Sequence, residues 1–181
     1  MASATVAPTP AQLYHRAITA GEVLKDEAQA QVVELLDELH RQLSSQTPKP
    51  TNLLMRLFMK WSGGSKNARQ QQALGLYIWG GVGRGKTMLM DMFCSALPSQ
   101  RGQRMHFHRF MRRVHDGLGR HSGQANPLLK VADEIAAEGD VLCFDEFFVS
   151  DIGDAMILGG VMKALFQRGV TLIATSNVEP A

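Results

Sequence analysis

Residues 80–87 read Gly-Gly-Val-Gly-Arg-Gly-Lys-Thr, which fits the phosphate-loop pattern Gly-x-x-x-x-Gly-Lys-Thr. The apolar run 74–79 leads into this segment and apolar residues with helical spacing follow it, so the pattern predicts strand, loop and helix. Glycine allows backbone conformations that a Cβ blocks, so N–H groups can converge on phosphate oxygens at the helix N-terminus. The alternative is a glycine-rich turn that matches by chance, and the flanking strand and helix argue against it. The chain is therefore expected to adopt an α/β fold that binds a nucleoside triphosphate.

The residues of this loop have distinct predicted roles toward the nucleotide and Mg²⁺. Lys86 is expected to reach the β- and γ-phosphates, and Thr87 to place its hydroxyl on the Mg²⁺ that bridges them. The predicted nucleotide contacts run from the loop into the helix: Gly80, Gly81, Val82, Gly83, Arg84, Gly85, Lys86, Thr87 and Met88.

A second motif, Val-Leu-Cys-Phe-Asp-Glu at 141–146, places two acids after four apolar residues. A buried parallel strand delivers carboxylates in this way to its C-terminal edge. Asp145 is expected to hold Mg²⁺ through water, and Glu146 to polarise the attacking water, the step that separates hydrolases from simple binders. The alternative for Glu146 is a surface glutamate at a strand end. The phosphate loop upstream favours the catalytic role.

A third apolar run, 171–177, ends in small polar residues. In ATPases with an additional strand this segment lies between the other two strands, so Asn177 is the candidate sensor of the γ-phosphate. The alternative is an asparagine that caps the following helix. The order of the three motifs, and the lack of an Asn-Lys-x-Asp guanine-reading motif, argue against a GTPase and leave ATP as the expected nucleotide.

Composition limits the remaining function classes. The chain has 181 residues, 45% of them hydrophobic, and a net charge of +2, so its overall charge attracts neither nucleic acid nor an anionic membrane. No apolar run approaches the roughly 18 uninterrupted residues that cross a bilayer, and the first ten residues lack the charge pattern of a targeting signal. The 2 cysteines form no disulfide framework, which fits a reducing cytoplasm.

The segment before the phosphate loop is predicted to be mostly helical. Residues 11–43 suit one or two amphipathic helices, with Asp26 and Glu27 opening the second, and they either close the core or dock a partner or membrane. Residues 53–61 could form a half-buried helix or a basic helix at a membrane surface. We expect residues 1–72 to form an N-terminal helical segment with linkers, and residues 73–181 a partial ATPase core.

A basic cluster follows the first core helix. Residues 105–108 are predicted to form a short strand, and a dozen residues around them carry seven cationic or imidazole groups: Arg104, His106, His108, Arg109, Arg112, Arg113 and His115. Such a cluster can contact nucleic acid, sense phosphate, bind an acidic protein or form a solvated helix face. Residues 126–138 suit a further helix. Another begins after Ser150-Asp151 and ends at Gly169.

At this point the motifs at 75–87, at 106–111 (His-Phe-His-x-Phe-Met) and at 144–151 (Phe-Asp-Glu-Phe-x-Val-x-Asp) resemble the family of the bacterial cell division ATPase ZapE and its mitochondrial relatives. The resemblance implies an AAA+ type P-loop ATPase with sheet order 5-1-4-3-2. It also implies ATP-dependent association with FtsZ or another division protein, a cytoplasmic location at the division site, and peripheral contact with the membrane.

The same resemblance assigns phosphate and magnesium contacts to Lys86 and Thr87, the acidic pair to Asp145 and Glu146, and the sensor role to Asn177. It implies a fifth strand, an arginine finger and a C-terminal region beyond residue 181, so we expect this chain to be an N-terminal portion with weak activity alone. The leading hypothesis is a Mg-dependent ATPase, which could form a homo-oligomeric ring. A helicase-loader-like DNA-binding ATPase and a non-catalytic module ordered by nucleotide are the alternatives.

Overall fold

Four parallel strands form the centre of the molecule, in the order β1-β4-β3-β2. The computed structural model describes residues 7–45, 75–98 and 101–180. The strands are β1 Gly75–Trp79, β2 Gly102–His106, β3 Val141–Asp145 and β4 Thr171–Ser176. The helices are α1 Pro10–Thr19, α2 Glu27–Ser45, α3 Lys86–Ala96, α4 Phe107–Arg120, α5 Pro127–Glu138 and α6 Ile152–Gln167. This strand order confirms the predicted α/β fold for the four strands described.

Helices cover both faces of the sheet, because successive side chains of each strand point to opposite faces. In β3, Leu142 and Phe144 pack with α4, α5 and α6 in one apolar cluster. Val141 and Cys143 pack on the other face, in a cluster with α1, α2 and α3. By the same alternation, Asp145 at the end of β3 lies on the face that α3 covers.

The N-terminal helices close the core, which was one of the two predicted alternatives. Leu36 and Leu43 of α2 are 1% and 2% exposed, and they share a cluster with Phe93 of α3. The end of α2 is also held by a buried arginine: Arg101 Nη1 donates to the carbonyl oxygen of Leu43 at 2.5 Å. The same guanidinium makes two hydrogen bonds to Asp140, at 3.0 and 2.7 Å. The segment is therefore packed onto the sheet along the length of α2.

Helix ends follow the predicted signals. The Asp26 carboxylate accepts a hydrogen bond from the backbone N–H of Gln29 at 3.0 Å, at the start of α2. Asp151 does the same for the N–H of Asp154 at the start of α6. Gly169, with φ of 76°, follows the end of α6.

The predicted short strand is present, but its predicted bounds of 105–108 are wrong. Strand β2 occupies Gly102–His106, and α4 begins at Phe107. Phe107, Phe110 and Val114 recur at helical spacing, and all three are buried against β3 and α6. Burying this apolar face requires the helical period, so a strand cannot continue past His106.

Several predictions fall outside the described residues. They are the helix at 53–61 and the boundary between residues 72 and 73. Among the described helices, none combines the length and the apolar content needed to cross a bilayer.

Candidate nucleotide-binding site

The phosphate loop connects β1 to α3, as predicted. Gly83 and Gly85 have φ of 80° and 82°, in the left-handed region that favours glycine. Gly85 is the N-cap of α3, and no side chain caps that helix end. The first backbone N–H groups of α3 are therefore available to an anion, and the helix dipole favours negative charge there.

The Lys86 side chain covers the loop, whereas the side chains of Val82 and Thr87 are exposed to solvent. Lys86 Nζ donates to the carbonyl oxygens of Gly80 and Gly81 at 2.6 and 2.8 Å, so its ammonium lies over the loop. Val82 is 86% exposed, and Thr87 is exposed in the first turn of α3. The structure thus places the Lys86 ammonium and the exposed hydroxyl-bearing side chain of Thr87 beside the helix N-terminus.

The parallel sheet brings the other predicted residues to the same edge. Strand β4 pairs with β1 on one side, where Trp79 is opposite Ser176, and with β3 on the other. The backbone N–H of Gly80 donates to the carbonyl oxygen of Ser176 at 3.3 Å, which fixes the loop to the end of β4. Asn177 follows directly and is exposed.

Asp145 is held by an arginine that the sequence did not single out for this role. Arg104 Nε and Nη2 donate to the two carboxylate oxygens of Asp145 at 2.8 and 3.2 Å. Arg104 Nη1 also donates to Asp91 of α3. The hydrogen bonds to Asp145, and then the one to Asp91, raise the pKa of Arg104 above its ordinary value. Arg104 therefore ties the acidic strand end to the phosphate-loop helix.

The side chain of Glu146 lies on the β2 side of β3, away from β1, whereas its backbone contacts β4. Its φ is 55°, and its N–H lies 3.4 Å from the hydroxyl oxygen of Thr175, so the end of β4 supports this turn. Its side chain is 78% exposed, with Oε2 3.8 Å from Nδ1 of His106. Ser176 reinforces the turn, because its hydroxyl donates to the carbonyl oxygen of Phe147 at 2.7 Å. The small polar residues of β4 were visible in the sequence, but their contacts were not.

The first turn of α2 forms a further wall beside the loop, which the sequence did not predict. Gln29 Nε2 donates to the carbonyl oxygen of Arg84 at 3.2 Å. The Arg84 guanidinium lies 3.6 Å from the carboxylate of Asp26. Next to these contacts, a cavity of about 200 Å³ lies between this turn and the loop.

Part of the basic cluster is paired with carboxylates. Arg104 pairs with two acids, Arg113 with Glu138, and His115 Nε2 lies 2.7 Å from the carboxylate of Asp154. The aromatic residues between them are buried rather than interleaved on the surface. His106 and His108 stack with ring centroids 5.7 Å apart. The exposed cations that remain are on the first two turns of α4.

Known proteins resemble this chain along most of its length. The cell division protein ZapE of Escherichia coli K12 is 50% identical over 175 residues, which cover 95% of this chain and 46% of that protein. Lactation elevated protein 1 homolog B of Danio rerio is 46% identical over 117 residues, or 59% of this chain and 23% of that protein. The chain thus spans about half or less of these curated relatives.

Solved structures of low identity support the fold. AMPPCP-bound DnaA from Aquifex aeolicus matches 86% of this chain and 40% of its own, with a TM-score of 0.54 and 15% identity. A structure of DnaI matches 87% of this chain and 70% of its own, with a TM-score of 0.53 and 17% identity. The sequence model for AFG1-like ATPases matches residues 8–181. On that match, which takes in the N-terminal helices as well as the loop and the sheet, the chain belongs to the AFG1-like ATPase family.

Proposed function

We propose that this chain binds Mg·ATP on residues 80–87 and hydrolyses the γ-phosphate bond. The observation that carries the proposal is the convergence of three parallel strand ends at one edge of the sheet. The loop follows β1, Asp145 ends β3, and Asn177 follows β4, which lies between them. Ligands of open α/β sheets bind at this edge, outside the carboxyl ends of the strands.

Lys86 is the proposed phosphate contact. Its ammonium already lies over the loop, where it donates to two backbone carbonyl oxygens. Phosphate oxygens carry more negative charge than carbonyl oxygens, so the ammonium would donate to them when nucleotide is bound. Catalysis of this kind consists mostly of positioning and charge neutralisation.

The residues proposed to hold Mg²⁺ fit its chemistry. Thr87 and Asp145 both offer oxygen ligands, which Mg²⁺ prefers. When bound, Mg²⁺ would neutralise charge on the phosphates. Both oxygens of Asp145 already accept hydrogen bonds from Arg104, which favours the contact through water that the sequence predicted.

Glu146 is the proposed general base, and Asn177 the proposed sensor of the γ-phosphate. The Glu146 carboxylate lies next to His106 at the end of β2, so it must turn toward β4 to orient a water molecule at the loop. Its high exposure leaves the side chain free to do so. Asn177 stands at the tip of the strand between Glu146 and the loop.

Two substitutions separate binding from hydrolysis. Lys86→Ala should abolish ATP binding, and Glu146→Gln should keep binding but stop phosphate release, with Lys163→Ala as an exposed control. Titration with fluorescent ATP and a phosphate-release assay measure the two steps. Unchanged turnover in Glu146→Gln would refute the role of Glu146. Binding without any release by the unchanged protein would instead support a non-catalytic module ordered by nucleotide.

We further propose a role in cell division, which the 50% identity to a protein named for that process supports. In this proposal residues 73–181 form the ATPase core, which acts on FtsZ or another division protein, as a homo-oligomer in the cytoplasm with peripheral contact to the membrane. Residues 1–72 supply the N-terminal helical segment with linkers, of which α1 and α2 pack against that core. Pull-down of FtsZ with and without ATP is the direct test. Equal recovery in both conditions would contradict nucleotide-dependent association.

Nucleic-acid binding is the second candidate. Arg109 and Arg112 are exposed on α4, and no described residue pairs with either one. Binding of single-stranded DNA should then weaken steeply with salt, and replacing both arginines by alanine should flatten that dependence. Fluorescence anisotropy at several salt concentrations distinguishes this from a solvated helix face, which would bind no DNA.

A further inference from the structure

The cavity beside the phosphate loop is lined by the start of α2 on one wall and by the end of β1 and the loop on the other. Its walls include Asp26, Gln29 and Val32 on one side, and Trp79 and Lys86 on the other. It therefore has an aromatic ring and an aliphatic side chain as well as polar groups. A planar heterocycle with polar edges suits such a lining.

The side-chain amide of Gln29 lines this cavity and contacts the loop on one side and Tyr14 on the other. Nε2 donates to the Arg84 carbonyl oxygen at 3.2 Å, and the hydroxyl of Tyr14 lies 3.4 Å from Oε1. A carbonyl oxygen only accepts, so the first contact identifies the nitrogen, and the second suits the oxygen. A primary amide has two donor hydrogens and two acceptor lone pairs. Gln29 thus keeps at least one donor and one acceptor for a ligand.

One spare donor beside one spare acceptor is the pattern that matches adenine. Adenine presents an acceptor at N7 and a donor at its N6 amino group, whereas guanine presents acceptors at both N7 and O6. We propose that Gln29 reads the adenine edge of the nucleotide bound by the loop, and so selects ATP over GTP. This inference rests on the nucleotide binding proposed above. With this contact, α2 forms part of the nucleotide-binding site and does not only pack against the core.

The test compares three ligands on the full chain in the presence of Mg²⁺: ATP, GTP and inorganic triphosphate. Calorimetric titration of the unchanged protein should show ATP bound about 5- to 150-fold more tightly than GTP, the range for a good bidentate amide contact. Gln29→Met keeps the length of the side chain but removes both polar groups. It should lower ATP affinity to that of GTP and leave inorganic triphosphate unchanged. Gln31→Met, exposed on the same helix, is the matched control and should change none of the three.

The outcomes separate the inference from the proposed function. Equal affinities for ATP and GTP in the unchanged protein would overturn base reading but leave phosphate binding in place. An equal loss of affinity for all three ligands in Gln29→Met would show that Gln29 only supports the loop through Arg84. That result would also overturn base reading. Binding of none of the ligands by the unchanged protein would refute the proposed function itself.

A second measurement needs no substitution, so it stands even where Gln29→Met fails to fold. The analogue 7-deaza-ATP lacks the N7 acceptor but keeps the amino group and the phosphates. Loss of one hydrogen bond should weaken its binding to the unchanged protein about 2- to 10-fold relative to ATP. Equal affinity for ATP and 7-deaza-ATP would contradict the proposed contact.

Discussion

Arg104 stabilises the site by joining β3 to the phosphate-loop helix, and Arg104→Met tests that role. The methionine side chain keeps much of the aliphatic length but cannot donate a hydrogen bond. The carboxylate of Asp145 would then lose two charge-assisted hydrogen bonds of 2.8 and 3.2 Å. Its side chain is only 14% exposed, so water can replace those bonds only in part.

The size of the effect follows from the exposure of each partner. Breaking a buried ion pair costs about 3–5 kcal/mol, and breaking an exposed pair about 0–1 kcal/mol. With Asp145 14% and Arg104 28% exposed, we expect Arg104→Met to lower the free energy of unfolding by about 2–3 kcal/mol. At about 2–4 °C per kcal/mol for a chain of this size, the melting temperature should fall by about 4–12 °C. Asp91 is 57% exposed, so Asp91→Asn should cost less than about 1 kcal/mol.

Urea unfolding followed by circular dichroism measures these differences. Arg109→Met is the matched control, because Arg109 is an exposed arginine that no described residue pairs with. In the double variant with Asp145→Asn, part of the stability should return, because the mostly buried side chain at position 145 then carries no charge; only the exposed Asp91 still loses its partner. A loss below about 0.5 kcal/mol in Arg104→Met would refute the reasoning, because surface substitutions fall in that range.

Three further predictions rest on other parts of the molecule. Arg101→Met should lower the free energy of unfolding by about 3–5 kcal/mol in the same urea experiment, more than Arg104→Met, because Arg101 and its carboxylate partner are only 7% and 15% exposed. Gly85→Ala should lower the free energy of unfolding by about 1–3 kcal/mol, because φ at this position is 82°. Gly119→Ala is the control: it lies in a helix with open space around it, so it should change the free energy of unfolding by less than about 1 kcal/mol. A hydrogen bond from the Cys143 thiol lowers the pKa of Cys94, so Cys143→Ala should move the pH dependence of Cys94 alkylation, followed by mass spectrometry, to higher pH.

The parts of the site that depend on local sequence were predictable. The phosphate loop is a contiguous segment, and each strand end is marked by the change from apolar to polar residues, so motif and periodicity suffice. The strand order followed from the family resemblance, and the structure confirms it for β1 to β4. The start of α4 was also available from the spacing of Phe107, Phe110 and Val114. The alternation of histidine with other residues at 105–108 obscured it.

Contacts between distant segments were not predictable. Arg104 reaches Asp145 because β2 and β3 pair in a register that sets Arg104 opposite Cys143, on the face that α3 covers. Helices α4 and α5 lie between these two strands in the chain, so their pairing is not a local contact. Gln29 reaches Arg84 across 55 positions in the sequence. No local pattern encodes either pairing, so both required the folded chain.

The packing also determines how a nucleotide at the loop can act on the rest of the protein. Leu89 and Phe93 of α3 share one apolar cluster with Leu36 of α2 and Tyr14 of α1. Close-packed interiors transmit displacement, because a side chain cannot move without its neighbours. Since Lys86 and Thr87 open α3, a shift of that helix on phosphate binding would press directly on α1 and α2. The opposite cluster, around Phe144, is separated from α3 by the sheet itself. A shift of α3 on nucleotide binding would therefore reach the N-terminal helices through direct contacts, and the opposite cluster only through the strands of the sheet.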